Sequence, residues 1–164
     1  MRVLILTLLL ASPALAQNGP PYDGKLLSSC LEGAGDNPRV CIGKASDACM
    51  AGPGGDTTVG MVECLSAESK AWDNLLNASY GKALTAAKAA DAELMQLGSA
   101  AEPAAPVLQQ AQRDWIAFRD ASCRYASLQF QGGTAGGPAA AGCMMELTAD
   151  QALRLGAMTG EQGQ

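Results

Sequence analysis

Apolar side chains start to recur at helical spacing at Met61 and hold that rhythm, with two interruptions, almost to the end of the chain. Met61, Cys64, Leu65, Trp72, Leu75, Leu76, Tyr80, Ala83, Leu84 and Ala87 follow an i, i+3, i+4, i+7 series, one stripe of an amphipathic helix. Asp56, Thr57 and Thr58 stand just before it and offer capping oxygens. The Ala-rich continuation carries the helix to Leu97, and Gly98 suits its end, so the first predicted helix spans 59–97. Glu102-Pro103-Ala104-Ala105-Pro106 reads as a connector, with Pro106 fitted to a first helical turn where its missing N–H has no intrahelical partner. A second helix is predicted over 105–128, with Leu108, Ala111, Gln112, Trp115, Arg119, Ser122, Cys123 and Ala126 facing one way. The Gly-rich run 132–138 reads as a flexible turn or exposed loop. A third helix, 140–157, carries Cys143, Leu147, Gln151 and Leu155 at helical spacing. No stretch alternates with period two and no repeat recurs, so the expected fold class is all-α, about three helices.

The remaining apolar run, 3–10, follows Arg2 and precedes Ala14-Leu15-Ala16, the three parts of a secretory signal peptide cut after residue 16. It is too short to span a bilayer, and the first cysteine, Cys30, lies well beyond the cut, so no membrane attachment is expected after cleavage. The expected location is periplasmic or secreted. From 17 to 56 the chain is dense in Gly, Pro, Asn and Asp, with Pro20-Pro21, Asn37-Pro38 and Gly52-Pro53-Gly54-Gly55 as breakers. That segment is predicted to be loops with at most a short helical turn. The organisation that follows is a signal peptide at 1–16, an irregular extension at 17–48, a helical domain at 49–157 and a disordered tail at 158–164.

Composition narrows the chemistry. Arg2 leaves with the leader, so the mature chain has ten basic against sixteen acidic side chains, a formal charge of −6. That balance argues against nucleic acid and favours encounters with basic partners. No histidine is present, which excludes Ser-His-Asp and Cys-His catalysis and the common zinc, haem and non-haem iron sites. Cys30, Cys41, Cys49, Cys64, Cys123 and Cys143 contain no C-x-x-C pair, so neither a metal nor a cofactor is expected, and disulfides are. Six cysteines allow 15 pairings. Local organisation favours sequential neighbours, because each such pair encloses a Gly- or Pro-rich segment; closing the Cys123–Cys143 loop contributes about 3 kcal/mol in the chain-entropy model. Acid pairs could still support glycosidase chemistry, but Glu63 and Glu68 splay around a helix and Asp91 and Glu93 sit in a polar stretch. These acids read as solvated faces, and the chain is not expected to be an enzyme.

The most unusual constellation is Gln112, Trp115, Arg119 and Cys123 on one face of the second helix, adjoining Asp120, with Asn77 and Tyr80 one turn apart on the first. An inward arginine needs acceptors, and Asp73, Asp120 or helix-end carbonyls are the candidates. The set is either an internal polar network fixing helix register or a cleft in which Arg119 and Gln112 meet a ligand.

At these residues the chain resembles a known family. Cys64 with Leu76-Asn77-Ala78-Ser79-Tyr80, Gln112-Arg113-Asp114-Trp115 with Phe118-Arg119-Asp120 and Cys123, then Gly132-Gly133-Thr134, Cys143 and Leu147-Thr148 are similar to the lysozyme inhibitor LprI-like N-terminal domain family, over roughly 49–155. The resemblance implies a small secreted or envelope helical protein whose four core cysteines are Cys49, Cys64, Cys123 and Cys143, leaving Cys30 and Cys41 as an added pair. Where members often carry an arginine three residues after the threonine, this chain has Gln151, with Arg154 one turn later. The implied function is non-catalytic binding of a lysozyme-type muramidase, or of another basic envelope protein, with the loop 131–142 occluding the substrate cleft. The alternative is an envelope module that recognises peptidoglycan fragments or a periplasmic protein through Gln112, Trp115 and Arg119.

Overall fold

The structure is a computed structural model that describes residues 19–160; the expected signal peptide and the last four residues of the expected tail lie outside the described residues. In chain order the elements are α1 (Lys25–Gly33), a 3₁₀ turn (Pro38–Cys41), α2 (Lys44–Met50), α3 (Thr58–Gln96), α4 (Ala104–Leu128) and α5 (Gly136–Met158). No strand occurs among the described residues.

The fold of the described residues is all-α, as expected, but they form five helices instead of about three. The extra two lie in the segment read as irregular, where short helices between breakers leave no long periodic run to detect. The three long helices fall within a few residues of their predicted bounds, except that α5 starts four residues early, at Gly136. Pro138 fits there because a first turn has no use for its N–H. A Cβ on Gly136 would stand 3.0 Å from the Ser127 carbonyl oxygen and hydroxyl, so a side chain there would crowd the end of α4.

Helix α3, 39 residues and about 58 Å long, is the spine. Thr57 caps its first turn by accepting from the Gly60 amide at 2.9 Å. At its far end Gly98 (φ +67°) donates to Met95 and Ser99 to Leu94, a Schellman closure. The Asp91 carboxylate then takes the Ala104 and Ala105 amides at 2.7 and 2.9 Å, starting α4 from a side chain of α3. Asp91 is thus a cap across two helices and not a solvated acid. Gly137 meets Val62, Gly142 meets Leu65 and Gly156 meets Ser79, so α5 runs parallel to α3, with α4 antiparallel between them in sequence. Trp72 and Leu76 of α3 and Met145, Ala149, Ala152 and Leu155 of α5 form the core with Leu27, Cys41 and Ala45. The alanines let the α5 backbone approach α3 closely.

Glu68 corrects the reading of the α3 acids as solvated. It is completely buried. Its Oε1 accepts from the Gly43 amide at 2.7 Å and from Trp72 Nε1 at 3.0 Å, and its Oε2 from the Ser46 amide at 2.6 Å. One carboxylate on α3 therefore supplies the N-terminal cap of α2 and fixes the indole at the centre of the core. Arg39, paired with Asp150, ties the 3₁₀ turn to α5. The disulfides Cys30–Cys41, Cys49–Cys64 and Cys123–Cys143 join α1 to the 3₁₀ turn, α2 to α3, and α4 to α5. Between α2 and α3 the chain turns so tightly that a Cβ on Gly60 would lie 2.0 Å from the Gly54 carbonyl oxygen.

Tyr22 packs on the same cluster with its hydroxyl buried and lacking a hydrogen-bond partner among the described residues. Burial, then the charges of Glu68 and Asp23, push its pKa up to about 12.

Two outcomes follow. Glu68→Gln keeps the volume but turns an amide NH₂ toward an N–H donor, which costs about 2 to 3 kcal/mol. At this chain length that lowers the melting temperature by about 5 to 10 °C. A calorimetric shift below about 2 °C would contradict the clamp. For Tyr22 the folded protein favours the neutral phenol, so its contribution is intact below pH 10 and is lost as pH rises from 10 toward 12. Urea midpoints of Tyr22→Phe should therefore fall less between pH 8 and pH 11.5 than those of the parent; equal falls would contradict this.

Candidate functional site

Helix α4 lies on the bundle with Ala105, Gln112 and Cys123 buried against its neighbours. Trp115 is partly buried against the core, and the Arg119 guanidinium lies over its ring at 5.0 Å from the centroid. Arg119 Nε and Nη2 donate to a single oxygen of Asp120, Oδ1, at 2.9 and 2.8 Å. Of the candidate acceptors, the structure uses Asp120, the next residue on the same helix. The Arg119 side chain is only 16% exposed, so its stacking on Trp115 is sheltered, whereas the Asp120 side chain is 56% exposed and the ion pair faces water, where it contributes little. Gln112 Oε1 accepts from Gln151 Nε2 of α5 at 3.1 Å. This amide pair bridges α4 and α5.

The other two candidates do not join this group. Asn77 is exposed on α3 and donates to Asp73 at 3.1 Å, while Tyr80 packs against the core from the same helix. Asp73 in turn is paired with Lys70 at 3.2 Å, not with Arg119. The six residues thus form two sets. Gln112, Trp115, Arg119 and Asp120 make a stacked, hydrogen-bonded band along α4, and Asn77 and Tyr80 belong to α3. An open hollow at the far end of the bundle is lined by Asp91, Leu94, Met95, Gly98, Ser99 and Pro103, none of them a candidate. Among the described residues no group of three or more His, Cys, Asp or Glu side chains is placed to hold a metal ion.

The loop expected over 131–142 is shorter, because its second half is the start of α5. What remains, 129–135, is a run of tight turns. Phe130 donates to Ser127, Gln131 to Leu128, Gly133 to Phe130 at 2.7 Å, and Gly136 to Gly133. Gln131 (φ +51°) and Gly132 (φ +82°) turn the chain with left-handed backbones. Cys123–Cys143 closes its base. Phe130 stands 45% exposed on this turn. The periodic pattern did not single it out, and its place just past the end of α4, two residues before Gly132 and Gly133, was the available signal for exposure. Phe118 and Tyr125 are likewise exposed, and Leu75 and Ala111, assigned to inward stripes, face solvent.

Comparison with known proteins adds an assignment for this architecture. The family model described as lysozyme inhibitor LprI matches residues 49–155, which covers α3, α4, most of α5 and the disulfides Cys49–Cys64 and Cys123–Cys143. An uncharacterized protein of Rhizobium meliloti strain 1021 is 34% identical over 92 residues. That similarity spans 56% of this chain and 66% of the relative, slightly under two thirds of its length. No solved structure matches the chain.

Proposed function

Since the chain belongs to the lysozyme inhibitor LprI family, we propose that it is a non-catalytic protein of the periplasm or exterior that binds a lysozyme-type muramidase and occludes its substrate cleft. The observation that carries the occluding step is the α4–α5 turn. It presents the exposed aromatic Phe130 on a backbone already ordered by successive turn hydrogen bonds and locked at its base by Cys123–Cys143. A pre-ordered turn loses little conformational entropy on docking, and one aromatic entering an apolar cleft can dominate such an interface. The net negative charge supports the same reading, since it steers association with basic lysozymes.

The alternative, recognition of peptidoglycan fragments by Gln112, Trp115 and Arg119, has less support. Asp120 occupies one guanidinium edge, Trp115 its face, and Gln151 the Gln112 carbonyl oxygen, so each group already has a partner within the protein.

Turbidity of a cell-wall suspension treated with lysozyme tests the proposal. Oxidised protein in molar excess should slow clearing by at least one lysozyme type. Phe130→Ala, an exposed substitution that leaves the fold intact, should raise the half-inhibitory concentration about 10-fold or more. No slowing of any lysozyme type would remove the inhibitory reading, and equal potency of Phe130→Ala would remove the turn from it.

A further inference from the structure

Helix α4 carries a second apolar stripe, on the side away from the bundle. Val107, Ala111, Asp114, Phe118, Ala121, Tyr125 and Leu128 follow one another at spacings that alternate four and three. All seven are exposed, with Val107 at 51%, Phe118 at 59%, Tyr125 at 65% and Leu128 at 62%. Helix α4 packs on α5 and α3 through its opposite face, where Ala105, Gln112 and Cys123 are buried. An ordinary surface helix needs one apolar face with a period of 3.6. A strict 3.5 repeat sustained over three heptads is the seam of a two-helix coiled coil, and each of its knobs requires a hole on a facing helix.

We infer that this face is the interface of a homodimer in which α4 packs antiparallel on α4 of a second copy. The single acidic member of the seam selects both occupant and direction. A parallel pairing would set Asp114 against Asp114, two like charges in a partly dry seam. An antiparallel pairing that seats Phe118 against Ala121 of the second copy places Asp114 opposite the second copy's Tyr125, one residue from its Arg124. The Tyr125 hydroxyl is a donor and the Arg124 guanidinium a cation, so the carboxylate gains both a hydrogen bond and an opposite charge. The same register sets Leu128 against Ala111, large against small at each end, and two-fold symmetry supplies every contact twice. It also brings Val107 level with Gly132 of the second copy, so the two α4–α5 turns lie at opposite ends of the pair, each beside the start of the other copy's α4.

Sedimentation of the oxidised mature chain tests the inference, over about 1 to 500 μM, the range where an interface of one helix pair is expected to dissociate. The expected result is a reversible monomer–dimer equilibrium. Phe118→Glu should weaken it at least about 10-fold with unchanged far-ultraviolet circular dichroism. Asp114→Arg and Arg124→Asp should each weaken it, and the double variant should regain most of the loss, because the charges then meet with signs exchanged. A chain that remains monomeric throughout would overturn the proposal, as would a Phe118→Glu variant that dimerises like the parent. Failure of the double variant to recover would overturn the antiparallel register. Lysis inhibition by monomeric Phe118→Glu, measured alongside, reports on the turn and not on the dimer.

Discussion

A single buried carboxylate holds the two parts of this molecule together. Glu68 accepts three N–H groups, two from the start of α2 and one from the indole of Trp72, and no solvent reaches it. A buried carboxylate is tolerated only when its lone pairs are used, and here the backbone amides that use them are those a helix N-terminus leaves unpaired. The arrangement is reciprocal: no side chain of α2 or its cap residue caps its N-terminus, and Glu68 forms no ion pair among the described residues. The extension of residues 19–50 therefore packs as part of the same core as α3 and α5, with the disulfide Cys49–Cys64 and the pair Arg39–Asp150 pinning it from either side.

This frame decides what the rest of the chain can do. Alanine, glycine and threonine on α5 bring it close to α3, and Trp72 supplies the bulk in the middle. With the centre filled by Trp72, leucines, Met145 and alanines, and Trp115 packed partly buried on it, Phe118 and Tyr125 of α4 are left outside. Phe118 and Tyr125 line an outer stripe and Phe130 the following turn, so the aromatic content that would ordinarily make a core is displayed on the surface. Exposed aromatic groups on a rigid support favour protein binding over catalysis.

The sequence made the three long helices legible because each repeats its apolar positions over several turns, and Thr57, Pro103 and Gly98 punctuate them. The short helices α1 and α2 were not legible, since seven to nine residues between glycines and prolines carry too few periods. Glu68 was invisible for a different reason: its partners are backbone amides some 22 to 25 residues upstream, which no side-chain pattern announces. Its place on the inward stripe, four residues after Cys64 and four before Trp72, was the available signal. At the site, Arg119, Trp115 and Gln112 do share a face as their spacing required. Asn77 and Tyr80 do not join them, because contact between helices depends on their rotation and relative height, which helical periodicity leaves open. The outer stripe of α4 was present in the sequence all along, masked by the inner one, since a helix with two apolar faces reads as one broad face.

The central claim is that a rigid helical frame presents the α4–α5 turn to a muramidase. Hydrogen exchange of the oxidised protein, alone and with an equimolar basic lysozyme, tests it most directly. The expected result is slowed exchange confined to residues 128–135, with the amides of Gly43, Ser46 and the α3 core unchanged because the frame does not rearrange. Unaltered exchange in that turn, or protection centred on another surface, would contradict it.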